Sequence, residues 1–423
     1  MKFVTKIAIG VSAIALAAPV SAQRLGSEPP KDGKPDIGRQ QTANAGATTT
    51  TGRKLNISKE AQKAIVELQN AVNTNDTANI PAKLAAAQAV AKTSDDKYFI
   101  AINQVKAAVA ANDIAGLKAG VEAMEASGGS DPADLSARFT DLGKRLQTGG
   151  QMDAAAAAYQ KAVGYDAANP STLALFASLR EKQGQKAEAV GLMQKSFAAS
   201  KLKGAKVAEN NFKFAAGLAY GLRSPAAVDI AREWISAYPS TTSWRDGLRI
   251  YRDISNAKGA QLADTLRLAR AANALSGQSD YYAYSDALVA DGALVEAKSV
   301  LADAAKAGIN VNDSSFKPLS TKAAAAPARA AIDASAKAAL AGGTGAALID
   351  AGDSLYGVGA YAEAAGLYRA AVGKGDANLA NLRLGMALAR AGDTAGAEAA
   401  LNAVTGPNQA LARFWLLWLS TRS

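Results

Sequence analysis

The chain has 423 residues, of which 49% are hydrophobic but only 6% aromatic, and a formal net charge of +10. Its apolar content is dominated by alanine, which favours helix at little entropic cost and lets helices approach closely, so the composition predicts an all-α protein. His and Cys are both missing, which removes imidazole bases, thiol nucleophiles, disulfides and the usual zinc, copper and haem ligands. No cofactor and no metal are expected, and the chain reads as a non-enzyme.

Met1 to Ala22 has the layout of a secretory leader: Lys2 and Lys6 at a charged start, an apolar stretch from Ile7 to Pro19, and the small residues Val20, Ser21 and Ala22 at a cleavage site. The stretch is short for a bilayer span, and no Cys follows to carry a lipid. The expectation is an exported chain beginning near Gln23, periplasmic or secreted, with no stable membrane insertion. Loss of Lys2 and Lys6 lowers the charge from +10 to +8, a surplus that aids solubility and attracts acidic partners. Nucleic acid is not expected there, whereas acidic proteins or anionic envelope polymers are. Residues 23–56 mix Gly, Pro, Thr and charges and read as a disordered tether.

From residue 57 to 311, apolar periodic runs of about 12 to 16 residues alternate with short polar breaks such as Asn73–Asp76, Ala111–Asp113 and Ser127–Ser130. These predict amphipathic helices joined tightly. Asp131-Pro132, Asn169-Pro170 and Ser224-Pro225 each place a side-chain acceptor before a proline suited to a first helical turn. Between 312 and 345 the pattern weakens around Pro318, Pro327 and Gly342-Gly343-Thr344-Gly345, predicting an irregular segment, either a bent helix or a hinge. Residues 346–423 resume the pattern and end in a closing helix whose Leu411, Phe414, Trp415, Trp418 and Leu419 form a broad apolar face. That face either caps the last repeat or docks a partner.

A spaced motif recurs along this frame. Phe139, Leu142-Gly143, Leu146, Gly150, Ala155 and Tyr159 match Leu384-Gly385, Leu388, Gly392, Ala397 and Leu401 at the same offsets from the Leu-Gly pair onward. Gly150 recurs as Gly184, Gly359 as Gly392, and Gly352 matches Gly385. Tyr281, Tyr284, Leu288, Gly292, Ala297 and Leu301 fit a further unit, and Trp244, Gly247-Leu248 and Tyr251 a degenerate one with the Leu-Gly pair inverted. The pattern resembles tetratricopeptide repeats, which implies an α-solenoid of stacked αα-hairpins. Such superhelices bind protein or peptide partners in a concave groove. In physical terms, the small residues let two helices touch, the glycine after the first helix turns the chain, and the large residue fills the seam.

Trp244, Leu248 and Tyr251 share one helical face and are expected to be buried. Arg245, Arg249 and Arg252 then share another, which by the resemblance lines the groove. Three guanidinium groups held together favour carboxylate or phosphate ligands unless Asp246 and Asp253 neutralise them. The same register offers Tyr282 and Asp286 in the next unit, and Lys144 and Gln147 in the early one. Catalytic motifs are wanting: Ser94–Lys97 and Ser200–Lys203 match S-x-x-K without a later K-T-G and read as capping and surface residues. Gly357-Val358-Gly359 lies between helices and reads as a turn. The expected function is a non-enzymatic scaffold or adaptor of the bacterial cell envelope, binding an acidic or C-terminal carboxylate segment of a protein or peptide. The alternative is a binder of anionic polysaccharide or peptidoglycan in an export or assembly system.

Overall fold

The computed structural model describes residues 56–422. The leader (1–22) and all of the tether except its last residue lie outside the described residues. The described chain divides after Ala205 into two compact units. In the first, α1 (Lys59–Asn73), α2 (Ile80–Val90), α3 (Ser94–Ala110), α4 (Ile114–Ser127), α5 (Pro132–Thr148), α6 (Met152–Tyr165), α7 (Pro170–Lys182) and α8 (Lys186–Leu202) pack as successive hairpins. The second holds α9 (Glu209–Gly221), α10 (Ala226–Ala237), α11 (Thr241–Ser255), α12 (Gly259–Ala271), α13 (Gly277–Ala290), α14 (Leu294–Lys306), α15 (Lys317–Ala323) and α16 (Arg329–Gly342). It continues with α17 (Gly345–Gly357), α18 (Tyr361–Ala371), α19 (Ala377–Ala391), α20 (Thr394–Asn402) and α21 (Gln409–Ser420). Among the described residues there is no strand, and the fold is an all-α array of stacked hairpins. The segment 312–345 carries α15 and α16 and lies within the second unit.

The repeated glycines make the hairpins. A Cβ on Gly143 would lie 2.7 Å from the Tyr159 ring, one on Gly352 2.6 Å from Tyr368, and one on Gly385 2.5 Å from Leu401. In each hairpin the large residue of the second helix therefore lies directly on the glycine of the first, as the motif requires. The turn between the helices uses Gly150 in one hairpin and Gly392 in another, at φ +78° and +89°, a region that side chains with a Cβ avoid. The degenerate unit differs in a specific way: Gly247 faces Ile235 of α10, at 2.6 Å from a built Cβ. Its close approach is to the preceding helix, which explains the inverted order of glycine and leucine.

Caps follow the sequence unevenly. Asn169 accepts from the Thr172 N–H at 3.1 Å and starts α7 as expected. At Ser224-Pro225 the helix begins one residue later, with Pro225 at the capping position and the Ser224 hydroxyl accepting from the Ala226 N–H. The Ser94–Lys97 motif is not wholly a surface feature. Thr93 and Asp96 form a reciprocal capping box at the start of α3, and Asp96 is fully buried because it also accepts from the Ser58 N–H and hydroxyl at 2.8 Å each. This one carboxylate ties the entry of the folded chain to α3.

The second unit closes on itself. Its core runs without interruption from Val228 on α10 to Leu419 on α21. Phe414 of α21 packs against Tyr251 of α11 with ring centres 5.6 Å apart, and α21 also touches α10, α19 and α20. The apolar face expected on the closing helix is thus covered inside the unit, with Leu411, Phe414, Trp415, Trp418 and Leu419 all buried.

Candidate functional site

Helix α11 begins with a capping box between Ser240 and Ser243, which fixes its rotation. Trp244, Leu248 and Tyr251 are buried on one side, as their spacing predicts. Arg245, Arg249 and Arg252 come out on the other with side chains 40%, 40% and 26% exposed. They line a cavity of about 340 Å³, within the range of small-ligand pockets. The buried Leu248, Leu266, Ala269 and Ala274 back it, and Asp246, Thr265 and, around the start of α13, Ser276, Ser279 and Asp280 complete the lining.

Each arginine meets at least one acid. Asp246 lies 3.4 Å from Arg245 and 3.6 Å from Arg249, so one carboxylate serves two guanidinium groups. Arg252 has two acids, Asp253 at 3.2 Å and Asp280 at 3.4 Å. The Nε of Arg249 is enclosed and donates to no acceptor. Asp253 also accepts the Tyr220 hydroxyl at 2.7 Å; that hydrogen bond, together with burial, raises the phenol above its ordinary pKa. Partly exposed pairs of this kind are each worth about 0–1 kcal/mol, so an incoming ionic group can replace them at little cost.

Of the other residues predicted for the groove, Asp286 and Tyr282 share α13 with Asp280 but do not line this cavity. Tyr282 is 39% exposed and stands edge-on to Phe316, with ring centres 5.5 Å apart. Asp286 is exposed. Lys144 is exposed on α5 in the first unit, and Gln147 accepts the Tyr159 hydroxyl at 3.1 Å.

A second charged cluster, which no repeat motif marks, is sealed inside the second unit. Arg267 on α12 reaches Glu296 on α14 and Asp264 on its own helix, each at 2.5 Å, and lies 3.8 Å from Asp353 on α17. Arg383 on α19 pairs with Asp353 and lies 3.5 Å from Asp264. Tyr284 donates to Glu296 at 2.6 Å and Tyr368 to Asp353 at 2.5 Å. All five ionic side chains are buried. Burial opposes charge on Arg267, but Glu296, Asp353 and Asp264 outweigh it and hold the guanidinium well above its ordinary pKa. Burial beside Glu296 and Asp353 likewise raises the phenols of Tyr284 and Tyr368. Asp353 follows Gly352 as Lys144 follows Gly143, yet Lys144 is exposed and Asp353 is sealed. The legible trace is the pair Asp264 and Arg267 set among Leu262, Ala263, Leu266, Leu268 and Ala269.

Among the described residues no group of three or more acidic side chains is placed to hold a metal ion, and no helix is long and apolar enough to cross a membrane. No family model matches the chain, and no curated protein is significantly similar to it. Among solved structures it is similar to a tetratricopeptide repeat protein from Parabacteroides merdae, at 14% identity over 69% of this chain and 99% of the other, with a TM-score of 0.28. It is also similar to the C-terminal part of a TPR repeat-containing protein from Cytophaga hutchinsonii, at 14% identity over 64% of this chain and 98% of the other, with a TM-score of 0.31. A third is the TPR2AB-domain:pHSP90 complex of yeast Sti1, at 14% identity over 68% and 98%, with a TM-score of 0.25. Those superpositions are loose, and the helical-repeat architecture rests on the chain's own glycine seams and stacked hairpins.

Proposed function

We propose that this chain is a non-enzymatic scaffold or adaptor of the bacterial cell envelope that binds a protein or peptide partner through the arginine-lined cavity of its second unit. The observation that carries the reading is the cavity itself. Three partly exposed guanidinium groups on one face of α11 line it together, with their acids at 3.2 to 3.6 Å. Arginine's planar fork suits carboxylates, so an acidic or C-terminal segment is the partner chemistry that fits. The interior of the same unit is filled by its own salt bridges and by α21, and none of those ion-pair residues lines the cavity. Export is supported by the leader-like composition of Met1 to Ala22.

Two carboxylates, Asp246 and Asp280, line the same cavity and would repel a dense polyanion, which favours a peptide over an anionic polysaccharide or peptidoglycan. Affinity capture from envelope extracts, with and without prior glycan digestion, tests the choice. A partner retained after digestion and lost on Arg245→Gln/Arg249→Gln supports the peptide reading. Loss of capture on digestion alone overturns it in favour of the glycan.

A further inference from the structure

The charges around the cavity do not balance evenly along α11. At one end Arg245 and Arg249 share the single carboxylate of Asp246, so two partly exposed guanidinium groups there face one anion. At the other end Arg252 is already served by Asp253 at 3.2 Å. Its second acid, Asp280, uses one oxygen to accept from the Ser276 N–H at 2.9 Å and keeps the other 3.4 Å from Arg252. That oxygen can be released without stranding Arg252, so this end has a carboxylate to spare for a cation. Residues 249 and 252 are about 4.5 Å apart along a helix axis, a span that two residues of extended chain, at roughly 3.5 Å each, can bridge.

We propose that this cavity binds a short free peptide of dipeptide size as a zwitterion. Its terminal carboxylate is held by Arg245 and Arg249 and its terminal ammonium by Asp280. An ammonium and a carboxylate placed at the two ends satisfy both imbalances at once, which neither a simple anion nor an acidic run does. The cavity of about 340 Å³ has room for such a ligand. The proposal rests on the partner reading's use of this cavity but gives Asp280 a ligand of its own, an ammonium, so Asp280→Asn tests it without testing whether a partner enters there.

The test is calorimetric titration of the full chain with L-alanyl-L-alanine, its N-acetyl derivative, its C-terminal amide and poly-L-glutamate. Free dipeptide is expected to bind at least about tenfold more tightly than either blocked form, a loss of roughly 1.4 kcal/mol for each block. Asp280→Asn should erase the penalty for N-acetylation while leaving that for amidation, and Arg249→Met should do the reverse. Circular dichroism showing unchanged helicity confirms that each variant is folded. Equal binding of free and blocked dipeptides, tighter binding of poly-L-glutamate, or no binding of the free dipeptide at about 10 mM, where even a contribution of roughly 3 kcal/mol would register, overturns the proposal.

Discussion

Arg267 holds Glu296 through three contacts, at 2.5, 2.9 and 3.1 Å, between α12 and α14, with both side chains enclosed. An ion pair so placed adds little net stability, because desolvating both charges offsets their attraction, but removing one partner leaves the other buried and uncompensated. Arg267→Met is therefore expected to destabilise the second unit by about 3–5 kcal/mol, and Glu296→Gln, which keeps the shape and an acceptor, by less. Urea unfolding followed by tryptophan fluorescence reads this directly, because Trp234, Trp244, Trp415 and Trp418 all lie in that unit. A loss below about 1 kcal/mol for Arg267→Met, the scale of an exposed pair, would show that the network is not desolvated.

The glycine seams predict coupled mutations. Gly385→Ala drives a methyl group to 2.5 Å from Leu401, which should cost about 1–3 kcal/mol by overpacking. Leu401→Ala alone opens a cavity at a cost of about 2–5 kcal/mol. Combined, the added methyl group partly fills the space vacated, so the double variant should be more stable than the sum of the two by about 1 kcal/mol or more. Strict additivity in denaturant melts would contradict direct contact between these helices.

Asp96 sets an acid limit on the first unit. Burial raises its pKa, but hydrogen bonds from Thr93, from the Ser58 backbone and hydroxyl, and from Lys92 outweigh burial and bring it below the ordinary carboxylate value. A lowered folded-state pKa means that the stabilisation is fully present above the unfolded value of about 3.9 and lost as pH falls through the folded one. Asp96→Asn should cost roughly 2–4 kcal/mol at pH 7 and should flatten the dependence of melting temperature on pH below about 4. An acid limb unchanged by the substitution would place the responsible group elsewhere.

What the sequence made legible follows from local physics. Helix positions, the Asn169 cap and the seams at Gly143, Gly352 and Gly385 depend on contacts within one hairpin, where spacing alone specifies which residues meet. The burial of Trp244, Leu248 and Tyr251, and the clustering of Arg245, Arg249 and Arg252, needed only the period of one helix. The salt bridges among Asp264, Arg267, Glu296, Asp353 and Arg383 join residues up to 119 positions apart, so no periodicity could reveal them. Likewise Asp353 and Lys144 share a register but not an environment, because burial depends on what folds over the helix. Asp280 was missed as a cavity residue because it comes from the next hairpin, at the start of a different helix.

Whether ligands enter through the α11 cavity or elsewhere is separated directly by one measurement: partner affinity of the full chain compared with Arg245→Gln/Arg249→Gln and with Lys144→Gln, at matched helicity. Removing the two arginines should weaken binding at least tenfold, about 1.4 kcal/mol, with a shallower dependence on salt, while Lys144→Gln should leave it within about twofold. Undiminished binding by the arginine variant, or a larger loss from Lys144→Gln, would contradict the assignment.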